Sequence, residues 1–209
     1  MRESQTAEAR PYHHGDLRRA LIDAARRLLE SEGPSALSLR AVAREAGVSP
    51  AAPYHHFKDK GELLDAVAKE GWGMLDQSIA KAKASASSIH AAMTEIGVAY
   101  VCFATQNPAL YRVMYDTARD KEAFPQEMQD GEDSPYCKVR DTLVEAGADP
   151  TSEVDIELAT IAAWCAAHGL AEMSGFKQFD HLKDACGGET AFLRAVFQHM
   201  GLFPGHIAD

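Results

Sequence analysis

The fold is decided by residues 38–64, which read SLRAVAREAGVSPAAPYHHFKDKGELL. In the first third of this stretch, apolar side chains recur with the roughly 3.6-residue period of a helix that buries one face. These side chains are Leu39, Val42, Ala43 and Ala46. Gly47 then supplies the backbone freedom that ends a helix and reverses the chain. The pattern predicts a short helix followed by a tight turn.

A second short helix is predicted after the turn. Ser49 is a residue type that caps helix N-termini, and Pro50 stands at the first helical position, where a missing N–H is tolerated. Pro53 removes a further backbone donor, so this helix should be less regular than the first. Phe57 is expected to anchor it in the core. Two helices joined by such a turn form a helix-turn-helix unit.

The side chains on the second helix suit a DNA groove. Small residues at its start let the backbone approach thymine methyl groups, and the tyrosine and histidines that follow can reach phosphates and base edges. Lysines just beyond add positive charge. The predicted DNA contacts are Arg18, Ser49, Ala51, Ala52, Tyr54, His55, His56, Lys58 and Lys60.

Residues 12–75 resemble the DNA-binding head of TetR-type transcriptional regulators. The resemblance rests on an amphipathic first helix, the helix-turn-helix and the run YHHFKDK at residues 54–60. It implies that the start of the second helix faces bases, that the tyrosine–histidine pair and the lysine opening the next helix hold phosphates, and that the chain dimerises. Carried over, these roles fall on Ala51, Ala52, Tyr54, His55 and Lys60.

Charge is distributed unevenly along the chain. Residues 1–60 hold ten Lys or Arg against eight Asp or Glu, whereas residues 61–209 hold 11 against 23. A mildly basic head on an acidic body is typical of a DNA-reading domain joined to a domain that does not touch DNA, because the duplex attracts the first and repels the second. The net charge of −10 therefore does not exclude double-stranded DNA as the partner.

Composition narrows the class of protein further. The chain is 46% hydrophobic and 25% charged, as in soluble proteins with a substantial core. No apolar run approaches the roughly 18 residues of a membrane span, and no leader sequence opens the chain, so we expect a cytoplasmic protein without membrane contact. The four cysteines form no CxxC pair, which predicts buried reduced thiols. No catalytic residue, metal or cofactor is predicted.

The remaining patterns are helical, with no strand-like alternation. The predicted fold is all-α, with about nine helices: a three-helix helix-turn-helix domain followed by a helical bundle. Asp16 should cap the first helix, and a long helix from Gly61 should bridge the two parts, so that its tilt moves the recognition helix. The predicted domains are a flexible arm at residues 1–15, the DNA-binding domain at 16–62 and a ligand-binding and dimerisation domain at 63–209.

A dimer interface is predicted from one apolar helix, Asp155–Met173, and from the last helix. The first is apolar nearly all round between Ala159 and Leu170, so one protomer can rarely cover it. Paired about a two-fold axis, the two helices of each chain would make a four-helix interface. Trp164, His168 and Gly169 also resemble the WHG-type C-terminal domain of one branch of TetR regulators.

An effector pocket is predicted in the body, for a small molecule of unknown identity. Aromatic residues and methionine at helical spacing are often plain core, but their clustering with a few polar tips is typical of a pocket. The candidate lining residues are Trp72, Tyr100, Phe103, Tyr111, Met114, Tyr115, Trp164 and His168. Both interpretations stay open at the level of sequence.

The predicted function is a homodimeric repressor that binds an inverted-repeat operator and is released by the effector. One alternative is an enzyme or metal-binding protein built on a helical bundle, with His168 and Glu172 one turn apart as ligands. The repeated Glu-x-x-His spacing of a di-metal bundle is absent, which counts against it. A second alternative is an interaction module whose head does not bind DNA, which Lys58 and Lys60 count against.

Overall fold

The computed structural model describes residues 14–119, 134–149 and 151–200. Within these ranges the regular elements are nine α-helices and three short 3-10 helices, with no strand. The all-α prediction is confirmed. The chain divides into two compact units, Met1–Val67 and Ala68–Asp209, which we describe separately.

The first unit is built on α1 (His14–Glu32) and α2 (Leu39–Glu45), with 3-10 helices at Pro34–Ala36 and Ala52–His55 and the start of α3 (Lys60–Ser85). Its core is the predicted apolar face of α1 packed against α2. The buried side chains include Leu21, Ala25, Leu28, Leu29, Val42, Ala43, Phe57 and Leu63, each at most 4% exposed. Burying these faces is what holds two short helices and the turn between them in place.

The turn after α2 takes the predicted form. Ser38 caps the N-terminus of α2 by accepting a hydrogen bond from Ala41 N at 3.1 Å. At the other end, Gly47 adopts a φ of +70°, Gly47 N donates to Arg44 O at 3.1 Å, and Val48 N donates to Ala43 O at 2.9 Å. This pair of bonds is a Schellman motif, and the left-handed backbone it needs is the reason for glycine.

Two cap predictions for this unit are wrong. The second helix of the helix-turn-helix is the 3-10 helix Ala52–His55, which fits the irregularity expected of it, but Ala51, not Ser49, stands at its cap position. Asp16 lies inside α1 rather than at the position before it. The predicted arm overlaps α1 at its last two residues, and its first thirteen lie outside the described residues.

The second unit contains the rest of α3 and six further helices. They are α4 (Ile89–Gln106), α5 (Pro108–Arg119), α6 (Pro135–Glu145), α7 (Glu153–Met173), α8 (Asp180–Cys186) and α9 (Glu189–His199), with a 3-10 helix at Lys177–Phe179. Central among them is α4, which packs against α6, α7 and α9. Its buried side chains extend around most of its circumference, as expected for a helix covered on several sides.

Two glycines let helices of this unit approach closely. A Cβ at Gly97 of α4 would lie 2.6 Å from the Phe197 ring of α9, and a Cβ at Gly71 of α3 would lie 2.6 Å from Met114 Sδ of α5. Real Cβ atoms do not tolerate such distances, so larger side chains would separate these helices. At Gly73, on the other side of Trp72, a Cβ would meet nothing within 4 Å.

One face of α7 is buried and the opposite face is apolar and exposed. Ile156, Thr160, Trp164, Ala167 and Leu170 point into the unit. On the other side Val154, Leu158, Ile161 and Met173 are 47–69% exposed. By length and composition alone this helix is apolar enough to cross a membrane, a test that core helices of soluble proteins also pass.

The cysteine prediction is only partly right. The four cysteines form no disulfide, as expected, but Cys165 and Cys186 are exposed and Cys102 and Cys137 are half-buried. Small apolar residues were expected inside, and the helical faces that carry these two exposed cysteines face outward instead.

Candidate functional site

The predicted DNA contacts of the first unit lie on and around the 3-10 helix Ala52–His55. Tyr54 is 54% exposed, His55 is exposed and His56 is half-buried. Ala51 and Ser49 are exposed and Ala52 is half-buried. Small side chains and groups that can form hydrogen bonds are therefore exposed together on this surface.

Buried residues on the other side hold this element in place. Pro53 is buried, and its carbonyl accepts hydrogen bonds from His56 N and Phe57 N at 2.9 Å each. Phe57 is 1% exposed. The Arg18 guanidinium of α1 lies 5.3 Å from the centroid of its ring, a cation–π arrangement. Arg18 is thereby positioned beside the segment that follows the 3-10 helix Ala52–His55.

The start of α3 is held by a reciprocal cap. Asp59 Oδ1 accepts from Glu62 N at 3.0 Å, and Glu62 Oε2 accepts from Lys58 N at 2.6 Å. These bonds fix the backbone that carries Lys58 and Lys60, whose side chains are exposed. Sequence analysis missed this cap, although the acidic pair at D-x-x-E resembles a capping box.

Lys60 has one partner in its own unit. Its Nζ donates to Pro34 O at 3.0 Å. An ammonium group has three donors, so this bond directs the side chain and leaves donors for an anion. Arg27 of α1 pairs with Glu45 of α2 at 2.7 Å.

In the second unit, six of the eight predicted pocket residues form one aromatic cluster. Trp72 comes from α3, Tyr100 from α4, Tyr111 and Tyr115 from α5, and Trp164 and His168 from α7. Neighbouring rings lie 4.6–6.4 Å apart between centroids, the distances of favourable aromatic pairs. We call these six residues the aromatic cluster.

The other two predicted pocket residues stand beside the cluster. Met114 is fully buried against Gly71. Phe103 is buried on α4, where its carbonyl accepts from the backbone and side chain of Asn107. Their role as ligand contacts stays a prediction.

A continuous set of hydrogen bonds links the polar tips of the cluster. Trp164 Nε1 donates to the Tyr115 hydroxyl at 3.1 Å, and Tyr115 is hydrogen-bonded to Tyr100. The Tyr100 and Tyr111 hydroxyls are 3.1 Å apart. His168 Nδ1 lies 2.5 Å from the Tyr111 hydroxyl and 3.3 Å from that of Tyr100. Each of the three hydroxyls thus has its partners within the cluster.

Burial keeps these tyrosines protonated. Removal from water raises the pKa of Tyr115 to about 12, against the lowering effect of its bonds to Tyr100 and Trp164. It also raises the pKa of Tyr100 and of Tyr111 well above the ordinary range. The three hydroxyls therefore keep their protons, and remain hydrogen-bond donors, to a more alkaline pH than an exposed tyrosine does.

The space beside the cluster is small. A void of about 20 Å³ is lined by Tyr100 and Trp164 together with apolar side chains of α3, α4, α6, α7 and α9. This is room for about one water molecule. An open groove of about 540 Å³ between α6 and α7 was not predicted, and charged side chains, among them Glu145, Glu153 and Glu157, form most of its lining.

The metal alternative finds no support in the geometry. Within residues 14–119, 134–149 and 151–200, no group of three or more His, Cys, Asp or Glu residues is placed to hold a metal ion. The Nδ1 atom of His168, a proposed ligand in that alternative, is instead in contact with two tyrosine hydroxyls.

Comparison with known proteins assigns the family. The model of bacterial regulatory proteins of the tetR family matches residues 21–67, and that of the tetracyclin repressor-like C-terminal domain matches residues 93–197. The chain is 35% identical over 108 residues to the HTH-type transcriptional regulator BetI of Rhizobium meliloti (strain 1021), which covers 50% of this chain and 53% of that protein. This chain thus spans about half the length of the curated relative it matches.

Solved structures show the same fold over nearly the whole chain. A protein of unknown function from Rhodococcus sp. RHA1 is 29% identical, with a TM-score of 0.73 over 92% of this chain and 96% of that one. The TetR family transcriptional regulator PfmR from Thermus thermophilus is 21% identical, with a TM-score of 0.58 over 91% and 97%. The chain belongs to the TetR family of transcriptional regulators, with a helix-turn-helix DNA-binding domain followed by a tetracyclin repressor-like C-terminal domain.

Proposed function

We propose that this protein is a homodimeric transcriptional repressor that binds an inverted-repeat operator and leaves it when a small effector binds the second unit. The observation that carries the DNA-binding part is the exposed surface of the 3-10 helix. Tyr54 and His55 stand outward there, while Pro53 and Phe57 hold the same segment from inside. The cytoplasm is the compartment in which such a regulator meets DNA.

The contacts divide by chemistry. Ala51 and Ala52 are small enough to let the element approach base edges, so they should influence which sequence is preferred. Tyr54, His55 and Lys60 present donors suited to phosphates, with Arg18, Ser49, His56 and Lys58 at the margins. Phosphate contacts give affinity and register, and base contacts give sequence preference.

A dimer is supported by the exposed face of α7. Val154, Leu158 and Ile161 form an apolar stripe at helical spacing, and Met200, just after α9, is 39% exposed. A second copy of the chain would remove this surface from water, at roughly 25 cal/mol per Å² of apolar area. A symmetric pair places two recognition elements on one DNA molecule, which is why the operator should be an inverted repeat.

A charge in the stripe tests the dimer. Ile161→Glu should give monomer or insoluble protein, because the new carboxylate would be buried without a partner. Gln77→Glu adds the same charge at an exposed position of α3 and should leave the dimer intact. Sedimentation measures the oligomeric state of both variants. If Ile161→Glu is a soluble dimer, the interface does not lie on this face of α7.

The effector part is supported by the aromatic cluster, a concentration of hydrogen-bonding groups inside an otherwise apolar unit. Polar groups placed in apolar surroundings are typical of small-molecule sites. Because the adjoining void holds about one water, a larger effector must move side chains of the cluster. A ligand that binds only the rearranged state shifts the protein toward it, which is the coupling that release requires.

Selection from a random DNA pool tests the function as a whole. The purified protein is mixed with the pool, and bound molecules are recovered and sequenced. We expect an inverted repeat whose half-sites are about 34–36 Å apart, or a multiple of that distance. If no sequence is enriched at low salt, the proposed function is wrong, and an interaction module that does not bind DNA is favoured instead.

A further inference from the structure

In the aromatic cluster, the donor and the acceptor of each hydrogen bond can be assigned from the number of protons that the polar groups carry. The Trp164 indole can only donate, so its bond to Tyr115 makes the Tyr115 oxygen an acceptor there. The Tyr115 proton must then point to Tyr100, its other hydroxyl partner. The Tyr100 proton then has two possible acceptors, the Tyr111 hydroxyl at 3.1 Å and His168 Nδ1 at 3.3 Å, and the closer approach of Nδ1 to Tyr111, at 2.5 Å, favours donation from Tyr100 to Tyr111.

The last link ends on His168. If Nδ1 carried a proton toward Tyr111, then Tyr111 would have to donate back to Tyr100, and the Tyr100 proton would be left without an acceptor. When Nδ1 is the acceptor, at 2.5 Å from the Tyr111 hydroxyl, the proton of every hydroxyl in the cluster has an acceptor. The arrangement that satisfies all groups therefore runs from Trp164 through Tyr115, Tyr100 and Tyr111 to His168. We call it the donor chain.

The donor chain has four donors and one terminal acceptor, the Nδ1 atom of His168. Displacing His168 leaves the Tyr111 hydroxyl as a buried donor with nothing to receive its proton. Such a donor is destabilising in an apolar setting, because it has lost its hydration without gaining a partner. A ligand that brings an acceptor oxygen to this point removes that cost, and one that brings only C–H groups does not.

The residues of the donor chain differ in exposure. Tyr100 is 2% exposed and Tyr111 5% exposed, whereas Tyr115 and His168 are half-buried. The small void lies at the Tyr100 and Trp164 part of the cluster, and its other walls are apolar and include Met93, Ile96 and Phe197. A ligand that displaced His168 would meet the Tyr111 hydroxyl.

We propose that the effector of this protein is a compact apolar molecule with a hydrogen-bond acceptor oxygen, such as a ketone or aldehyde carbonyl, that takes the place of His168 Nδ1 on the Tyr111 hydroxyl. This inference rests on the proposed effector site. It assigns Tyr111 as the residue that recognises the ligand and His168 as the internal competitor that the ligand displaces. Ligands whose polar group only donates are selected against.

Three probes of matched size test the ligand class. Cyclohexanone offers an acceptor, methylenecyclohexane replaces its oxygen by a CH₂ group, and cyclohexylammonium only donates. The chain has two tryptophans, both in the cluster, so their two indole N–H signals in the NMR spectrum of isotope-labelled protein report binding. We expect a saturable shift with cyclohexanone at a concentration about tenfold lower than with either other probe.

Two variants with opposite expected effects test the roles of the residues. Tyr111→Phe keeps the ring and removes the donor, so it should weaken cyclohexanone binding about tenfold. His168→Leu removes the competitor and leaves the donor, so it should strengthen cyclohexanone binding about tenfold and leave methylenecyclohexane unchanged. The control is Tyr136→Phe, whose hydroxyl donates to Glu157 outside the donor chain although its ring also contacts Trp164. It should leave the affinity unchanged.

The outcomes separate this inference from the proposed function, because NMR binding needs no DNA. Equal affinity for cyclohexanone and methylenecyclohexane, no saturable shift with cyclohexanone, or weaker cyclohexanone binding by His168→Leu would each overturn it. A protein that still selects an inverted repeat from the DNA pool would then keep its function as a regulator and lose only this ligand class.

Discussion

Two groups of tyrosine and histidine residues lie in opposite surroundings in this chain. In the first unit, Tyr54 is 54% exposed and the adjacent His55 is also exposed. In the second unit, Tyr100 is 2% exposed and its hydroxyl is bonded to the tyrosines around it. The exposed group keeps its hydrogen-bonding capacity for an outside partner, whereas the buried group uses its capacity internally and must be rearranged before a ligand can share it.

The largest difference between the groups should appear in stability. Tyr100→Ala removes a buried ring and the middle of the donor chain, which should lower the free energy of unfolding by about 3–5 kcal/mol. Tyr54→Ala removes an exposed ring and should change it by no more than about 0.5 kcal/mol. Urea unfolding of both variants measures the difference. Equal losses would mean that the exposed tyrosine is also part of the core.

Alkaline pH should act on the buried group. The pKa of Tyr115 is about 12 in the folded protein, above its ordinary value of 10.0. Between these values the unfolded chain loses a proton that the folded chain retains, so the stability contributed by this shift is complete below pH 10 and is lost as pH rises toward 12. Tyr100 and Tyr111 shift in the same direction.

Removing one hydroxyl should make this pH dependence shallower. Tyr115→Phe is the informative variant, with Tyr54→Phe as the exposed control, and urea unfolding is repeated at several alkaline pH values. The decrease in the free energy of unfolding per pH unit should become smaller for Tyr115→Phe and should stay unchanged for Tyr54→Phe. The same slope in the parent and in both variants would show that the cluster does not govern alkaline unfolding.

The exposed group should matter for DNA instead. Tyr54→Phe removes a donor to a phosphate, a bond to a charged group worth about 1.5–3 kcal/mol, so affinity should fall roughly tenfold or more. Tyr136→Phe, in the second unit, should bind as the parent does. Titration of labelled operator by fluorescence anisotropy measures both. If Tyr54→Phe binds the operator as tightly as the parent does, the Tyr54 hydroxyl does not contact DNA.

The smallest effect concerns one lysine. Lys60→Ala should weaken binding to operator and unrelated DNA about equally and should reduce the slope of log affinity against log salt by about 0.9, the value for one phosphate contact. Lys81→Ala removes an exposed lysine from the second unit as a control. If the two variants have the same slope, the bond from Lys60 to Pro34 is the whole function of that side chain.

Local features of the fold could be predicted from the sequence where they depend only on the spacing of side chains. The apolar period of Leu39, Val42, Ala43 and Ala46 predicted the buried face of α2; the first three are buried, and Ala46, at the C-cap, is half-buried. Gly47 predicted the left-handed turn residue. The Pro50–Pro53 pair was harder to interpret, because two prolines leave too few backbone donors for an α-helix. The chain forms a single turn of 3-10 helix there instead.

For the candidate site, the sequence predicted which residues take part but not how they are hydrogen-bonded. Aromatic residues of the second unit were expected near each other, and six of them meet. Their hydrogen-bond order was not predictable, because it depends on which atoms approach after distant helices pack. Tyr100 and His168, for example, are 68 residues apart in sequence. The cap by Asp59 and Glu62 was visible as a local pattern and was overlooked beside the lysines it positions.

The most direct test of the account is the affinity of the parent protein for a selected inverted repeat and for a scrambled duplex of equal length, measured over a salt series. We predict tighter binding to the repeat at every salt concentration and an affinity for both duplexes that falls steeply as salt increases, because phosphate contacts from both protomers release counterions. Equal affinity for the two duplexes, or an affinity that does not change with salt, would contradict sequence-specific recognition by the exposed tyrosine and histidine of the first unit.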